Sequence, residues 1–155
     1  MQRFAFICLV LFTAACGVIS FDVEIKDALI VESTQFDSSA NLYRKYDQII
    51  ELRIRLSDVK SIASREVYPY INVFDCENDE NTFPVFPFYE KIPMDEFRSL
   101  ERELSSSDNT EYIKIFGGID KSFTDGIEEI CVNASGGSYI GYMMKSNELK
   151  IKRES

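Results

Sequence analysis

The chain has 155 residues, 26 of them acidic against 17 basic and none histidine, for a net charge of −9. Such an acidic chain is expected to bind neither nucleic acid nor anionic lipid head groups, since both reward clustered Lys and Arg. Without histidine it lacks the commonest general base, and two isolated cysteines make a poor zinc site.

The first residues include Arg3, an unbroken apolar run from Phe4 to Leu11, and small residues Thr13-Ala14-Ala15 leading to Cys16-Gly17. A basic start, an apolar core and a small-residue processing site are the anatomy of an export signal. The run is too short for a membrane span, which needs about 20 apolar residues. Phe12-Thr13-Ala14-Ala15-Cys16 resembles the lipobox of bacterial lipoproteins, with Thr13 where leucine is usual. The resemblance implies a signal peptide over residues 1–15 and a lipid on Cys16. An anchor or linker is then expected over 16–20, and the strand pattern of the remaining chain predicts a single β-rich domain over 21–155. Gly17 after the cysteine implies an outer-membrane protein facing the periplasm or cell surface, touching the membrane through its lipid alone. The other reading is an ordinary secretory leader cut after Ser20, with Val18 and Ser20 at the cleavage site and a freely secreted product.

Arg3 is the only charged residue of the leader, so the remainder carries −10. Its length of about 140 residues suits one domain. An acidic surface of this kind suits solubility or a basic partner. Cys76 and Cys131 are expected to pair in an oxidising compartment. Closing that loop would stabilise the fold by about 4 kcal/mol. Alternation puts Cys131 on a face with Glu129 and Asn133, so the bridge is expected near a rim if that face is wet.

In chain order, Phe21 to Glu32 reads as one or two strands, and Ser33 to Asn41 as a loop. Glu51-Leu52-Arg53-Ile54-Arg55-Leu56 alternates strictly between charged and apolar, which predicts a strand from about Tyr46 with one wet face. Val67 to Cys76 is β-branched and aromatic and predicts another strand, with Pro69 at an edge. Glu77 to Asn81 reads as an acidic loop. Asp75 to Glu80 has alternating carboxylates, but Glu80 and Phe86 stand where a calcium loop needs Gly and Glu, so no metal site is expected. The prolines of Phe83-Pro84-Val85-Phe86-Pro87-Phe88-Tyr89 favour an extended edge segment. A helix is predicted over about 93–105, from the apolar stripe Met94, Phe97, Leu100 and Leu104. Tyr112 to Phe116, Ile127 to Ala134 and Tyr139 to Met144 predict strands, the last running through a Ser146-Asn147 turn into Leu149 to Lys152. Gly117-Gly118 and Gly136-Gly137 read as turns. The sum is a mainly β, two-sheet sandwich with one short amphipathic helix.

Ile130-Cys131-Val132-Asn133-Ala134-Ser135-Gly136-Gly137 and Lys145-Ser146-Asn147-Glu148-Leu149-Lys150-Ile151 resemble the last two strands of immunoglobulin-like or fibronectin-type domains. That resemblance implies an immunoglobulin-like sandwich. No catalytic residue, cofactor or metal ligand is identified. Asn133-Ala134-Ser135 is a glycosylation sequon, relevant in a eukaryotic cell. Phe83, Phe86, Phe88 and Tyr89 form the candidate binding surface, and the competing expectation is that Phe83, Phe86 and Phe88 cover the open end of the sandwich. The expected function is a lipid-anchored, non-catalytic domain that binds another extracytoplasmic protein. A secreted glycoprotein acting as ligand or effector, and a hydrolase with an unorthodox site, are the alternatives.

Overall fold

Alternation drives the architecture. Strand β3 (Gln48–Arg55) buries Ile50, Leu52 and Ile54 on one face, while Arg53 and Arg55 reach solvent. A computed structural model of the chain describes residues 17–32, 46–90, 92–105 and 111–152. Among these, eleven strands and three helices form two packed sheets.

The larger sheet has the order β1 (Ile19–Val23), β10 (Tyr142–Ser146), β9 (Glu129–Gly137), β4 (Tyr68–Asp75), β5 (Asn78–Val85), with β11 (Leu149–Lys152) also paired to β9. The second has the order β2 (Ile25–Glu32), β3, β8 (Tyr112–Ile119), β6 (Pro87–Tyr89), β7 (Ile92–Pro93). Neighbours are antiparallel except β1 and β10. Apart from β1, the strands follow the immunoglobulin-type Greek key. Its first, second, fifth and fourth strands share one sheet, and the last two lie beside the third in the other. The core between the sheets is aliphatic, with Ile50, Leu52, Ile71, Val73, Ile115, Ile130 and Val132 almost wholly buried.

Of the one or two strands expected over Phe21 to Glu32 there are two, on different sheets with Glu24 at the crossing, and β1 takes in Ile19 and Ser20 from the linker stretch. Several local expectations are corrected. The expected single helix is one of three and begins later than Pro93. Pro93 instead pairs with Phe88 in β7, the Met94 amide donates to the Pro87 carbonyl, and the helix α2 spans Phe97–Ser105. Met94, Leu100 and Leu104 of its expected stripe are core, whereas Phe97 is half-buried and turns to the Tyr68 ring.

The helix α1 (Leu56–Ser64) was not expected. It inherits Leu56 from the strand alternation and then buries Val59, Ile62 and Ala63 at helical spacing. It ends in a Schellman arrangement: the Glu66 amide donates to the Ala63 carbonyl and the Val67 amide to Ile62. Glu66 occupies the left-handed position, φ 49°, where glycine is usual. The third helix, α3 (Lys121–Thr124), is a single turn.

The acidic loop is also a strand. Asp75 and Asn78 pair across a tight turn, and the Asp75 carboxylate accepts the Glu77 amide. Neither glycine pair is a turn. Gly117 and Gly118 lie within β8, where Cβ atoms would strike Val85 and the Tyr46 ring. Gly136 and Gly137 end β9 against β4 and β10.

The Ser146-Asn147 turn is a bulge in a continuing strand. Lys145 pairs with Ser135 and Leu149 with Val132, so β10–β11 carries one residue more than β9. The bulge aims the Asn147 side chain at the other sheet. Its Oδ1 accepts the Ile25 amide at 2.8 Å, and its Nδ2 donates to the Ile25 carbonyl at 3.0 Å. A side-chain amide thus acts as a strand partner where β1 hands over to β2.

Candidate interaction surface

The outward face of the larger sheet is built from three strands distant in sequence. Ile71 and Val73 point into the core, so Tyr68, Tyr70, Asn72 and Phe74 of β4 point out. Their register partners on β9 are Gly137, Ser135, Asn133 and Cys131. Beyond these, Met143 and Lys145 of β10 sit opposite Gly137 and Ser135. A row of small residues therefore runs between an aromatic column and longer side chains, which makes a shallow trough.

The trough floor is polar and ordered. Asn72 Nδ2 donates to Asn133 Oδ1 at 2.8 Å and to Ser135 Oγ at 2.9 Å. The sequon asparagine thus lies at the centre of this face, on an internal strand.

Aromatic contacts continue the column at both ends. The Phe86 and Tyr70 rings are 5.0 Å apart. Tyr68 meets Phe97 edge-on at 5.1 Å and Tyr139 at 5.4 Å. The Gly141 amide donates to the Ser138 carbonyl, so Tyr139 and Ile140 are the corner residues of a turn that Gly141, φ +90°, allows to close. They are 93% and 72% exposed, and Met143 beside them is 52% exposed. Val18 and Ile19 join this end, where the Ile19 amide donates to the Gly141 carbonyl.

The sequence-derived aromatic segment is divided among three environments. Phe83 faces inward at the open edge of β5 and stacks on Phe123 at 4.9 Å. Phe86 is the single residue between β5 and β6, at the corner where the chain changes sheets, and is 61% exposed. Phe88 lies on the far face of the second sheet, against the Ile49 and Phe116 cluster. Tyr89 is core, 8% exposed. Covering the open end therefore describes Phe83 alone, and only Phe86 joins the outward row.

Sequence reasoning missed Tyr68, Tyr70, Tyr139 and Met143. The available signal was the alternation Tyr68-Pro69-Tyr70-Ile71-Asn72-Val73, which places both tyrosines with Asn72. Beside the row is a cleft of about 380 Å³, whose walls include Tyr46, Tyr68, Phe86 and Phe88, with Asp95 and Glu96 also lining it. Tyr46 can lie there because Gly118 has no side chain.

The disulfide Cys76–Cys131 is present, with Cα atoms 5.0 Å apart. It lies on the same outward face and ties the β4–β5 turn to β9, within one sheet rather than between two. Cys131 is buried, Cys76 half-buried.

Other polar clusters are internally engaged. Arg55 pairs with Glu24 at 2.7 Å, and the Asp58 carboxylate accepts the Glu24 amide. A hydrogen bond with Tyr112, then the charge of Glu24, holds the Arg55 guanidinium above its ordinary pKa. Among the described residues no three His, Cys, Asp or Glu side chains gather as a metal site, and no helix is long and apolar enough to cross a membrane. Cys16, the expected lipid site, lies outside the described residues. No protein-family model, curated protein or solved structure matches the chain.

Proposed function

We propose that the chain is an exported, non-catalytic domain that docks another extracytoplasmic protein on the outward face of its larger sheet, tethered through a lipid on Cys16. The observation that carries the docking reading is the continuous row Phe86–Tyr70–Tyr68–Tyr139, extended by Ile140 and Met143. Phe86 and Tyr139 are exposed and Tyr68 and Tyr70 between them half-buried, and apolar surface gathered on one face in this way is typical of protein contacts.

The leader supports export, and the disulfide fits an oxidising compartment. The start of β1 supports a cut before Cys16. A cut after Ser20 would remove Ile19 and Ser20, which pair with Tyr142 and Met143, whereas a cut before Cys16 leaves the strand whole.

The mass of the mature N-terminus tests the tether: an acylated chain starting at Cys16 is expected, and an unmodified chain starting at Phe21 excludes it. Asn133 separates this reading from that of a secreted glycoprotein. A glycan there would stand in the trough, so a glycosidase-sensitive mass increment at Asn133 would count against docking on this face.

A further inference from the structure

We propose that the cleft beside the aromatic row receives an arginine side chain of the docked protein. This rests on the docking reading and adds the chemistry of the contact. The lining of the cleft includes four aromatic residues, Tyr46, Tyr68, Phe86 and Phe88, and two acids, Asp95 and Glu96. Both acids are exposed, and neither has an ion-pair partner among the described residues. Aromatic faces and carboxylates together attract a cation, and the net charge of −9 favours the same occupant.

The choice of guanidinium over ammonium follows from its shape. It is planar and weakly hydrated, so it stacks on rings while offering paired N–H donors to carboxylates. The molecule already uses this contact. The Arg65 guanidinium lies 4.7 Å from the Phe21 ring centroid and 5.5 Å from that of Tyr142, and Arg53 lies 5.9 Å from that of Tyr112. The occupant is part of a protein rather than a free ion because Tyr68 and Phe86 belong both to the cleft and to the outward row. A side chain entering here comes from a molecule already seated on that face.

The test titrates the mature, oxidised protein with N-acetyl-arginine methylamide, followed by NMR. The neutral isostere N-acetyl-citrulline methylamide, the lysine analogue and tetramethylammonium are the comparison probes. Saturable shifts confined to the cleft are expected for arginine, with citrulline weaker by about tenfold or more. The double variant Asp95→Asn/Glu96→Gln, and separately Phe86→Ala, should each weaken arginine binding by about tenfold. Both leave the core untouched, and an unchanged amide spectrum checks the fold. Absence of cleft shifts with arginine, equal binding of citrulline, or tighter binding of lysine or tetramethylammonium overturns the proposal. If Tyr139→Asp abolishes docking of the partner while Asp95→Asn/Glu96→Gln does not, the cleft assignment fails and the docking reading stands. If wild-type protein docks no partner, both fall.

Discussion

Removing the disulfide should lower stability by an amount set mainly by the unfolded chain. The cysteines are 55 residues apart, and a cross-link closing such a loop removes entropy worth about 4 kcal/mol at room temperature. β4 and β9 already pair from Tyr68 to Asp75, the Cys76 amide donates to the Glu129 carbonyl at 3.1 Å, and the 5.0 Å Cα separation lies within the ordinary bonding range. At about 2.1 cal/mol/K per residue, a domain of about 140 residues unfolds with about 0.3 kcal/mol/K, so the loss corresponds to about 14 °C in Tm. Calorimetry of the oxidised protein against Cys76→Ala/Cys131→Ala measures it. A drop of less than about 4 °C would refute the reasoning, because it would mean that the unfolded chain is scarcely constrained by the bridge.

Asn147→Ala strands the Ile25 amide and carbonyl at the sheet crossing and should cost about 2 kcal/mol by urea denaturation, with Asn147→Asp, which keeps the acceptor, in between. Glu66→Gly relieves a left-handed backbone at the end of α1 and should raise stability by about 1 kcal/mol in the same assay. Gly118→Ala drives a methyl group into the Tyr46 ring. It should cost about 1–3 kcal/mol and shift the Tyr46 resonances, while circular dichroism shows the sheets retained.

The legible parts of the fold were those written in local periodicity. The alternation of β3 gives its buried face and the exposure of Arg53 and Arg55, although Glu51 on the expected wet face is buried and paired with Lys114. Met94, Leu100 and Leu104 of the expected stripe are core, and Phe97 is not. Cys131 falls on the side of Glu129 and Asn133, as alternation required. The disulfide pairing was legible from the cysteine count and the compartment expected from the leader-like start. What failed depended on partners remote in sequence. α1 shows only four buried residues and ends on Glu66 rather than glycine, so neither its face nor its stop stood out. Gly117 and Gly118 looked like a turn because the side chains that need their space, Val85 and Tyr46, lie far along the chain. Phe83 to Tyr89 looked like one surface because the change of sheets at Phe86 cannot be read from composition. The trough exists only once Tyr68, Gly137 and Met143 are brought into register.

Docking on the outward face is tested most directly by placing a photo-crosslinking residue, in the cells that make the protein, at 86, at 139 or at 27. Phe86 and Tyr139 lie on the proposed face, whereas Asp27 is exposed on an edge strand of the other sheet. The account predicts one partner protein trapped from positions 86 and 139 and none from 27, with Tyr139→Asp removing the cross-link at 86 and leaving Tm unchanged. Cross-links from 27 alone, or an unchanged yield at 86 in the Tyr139→Asp background, would contradict it.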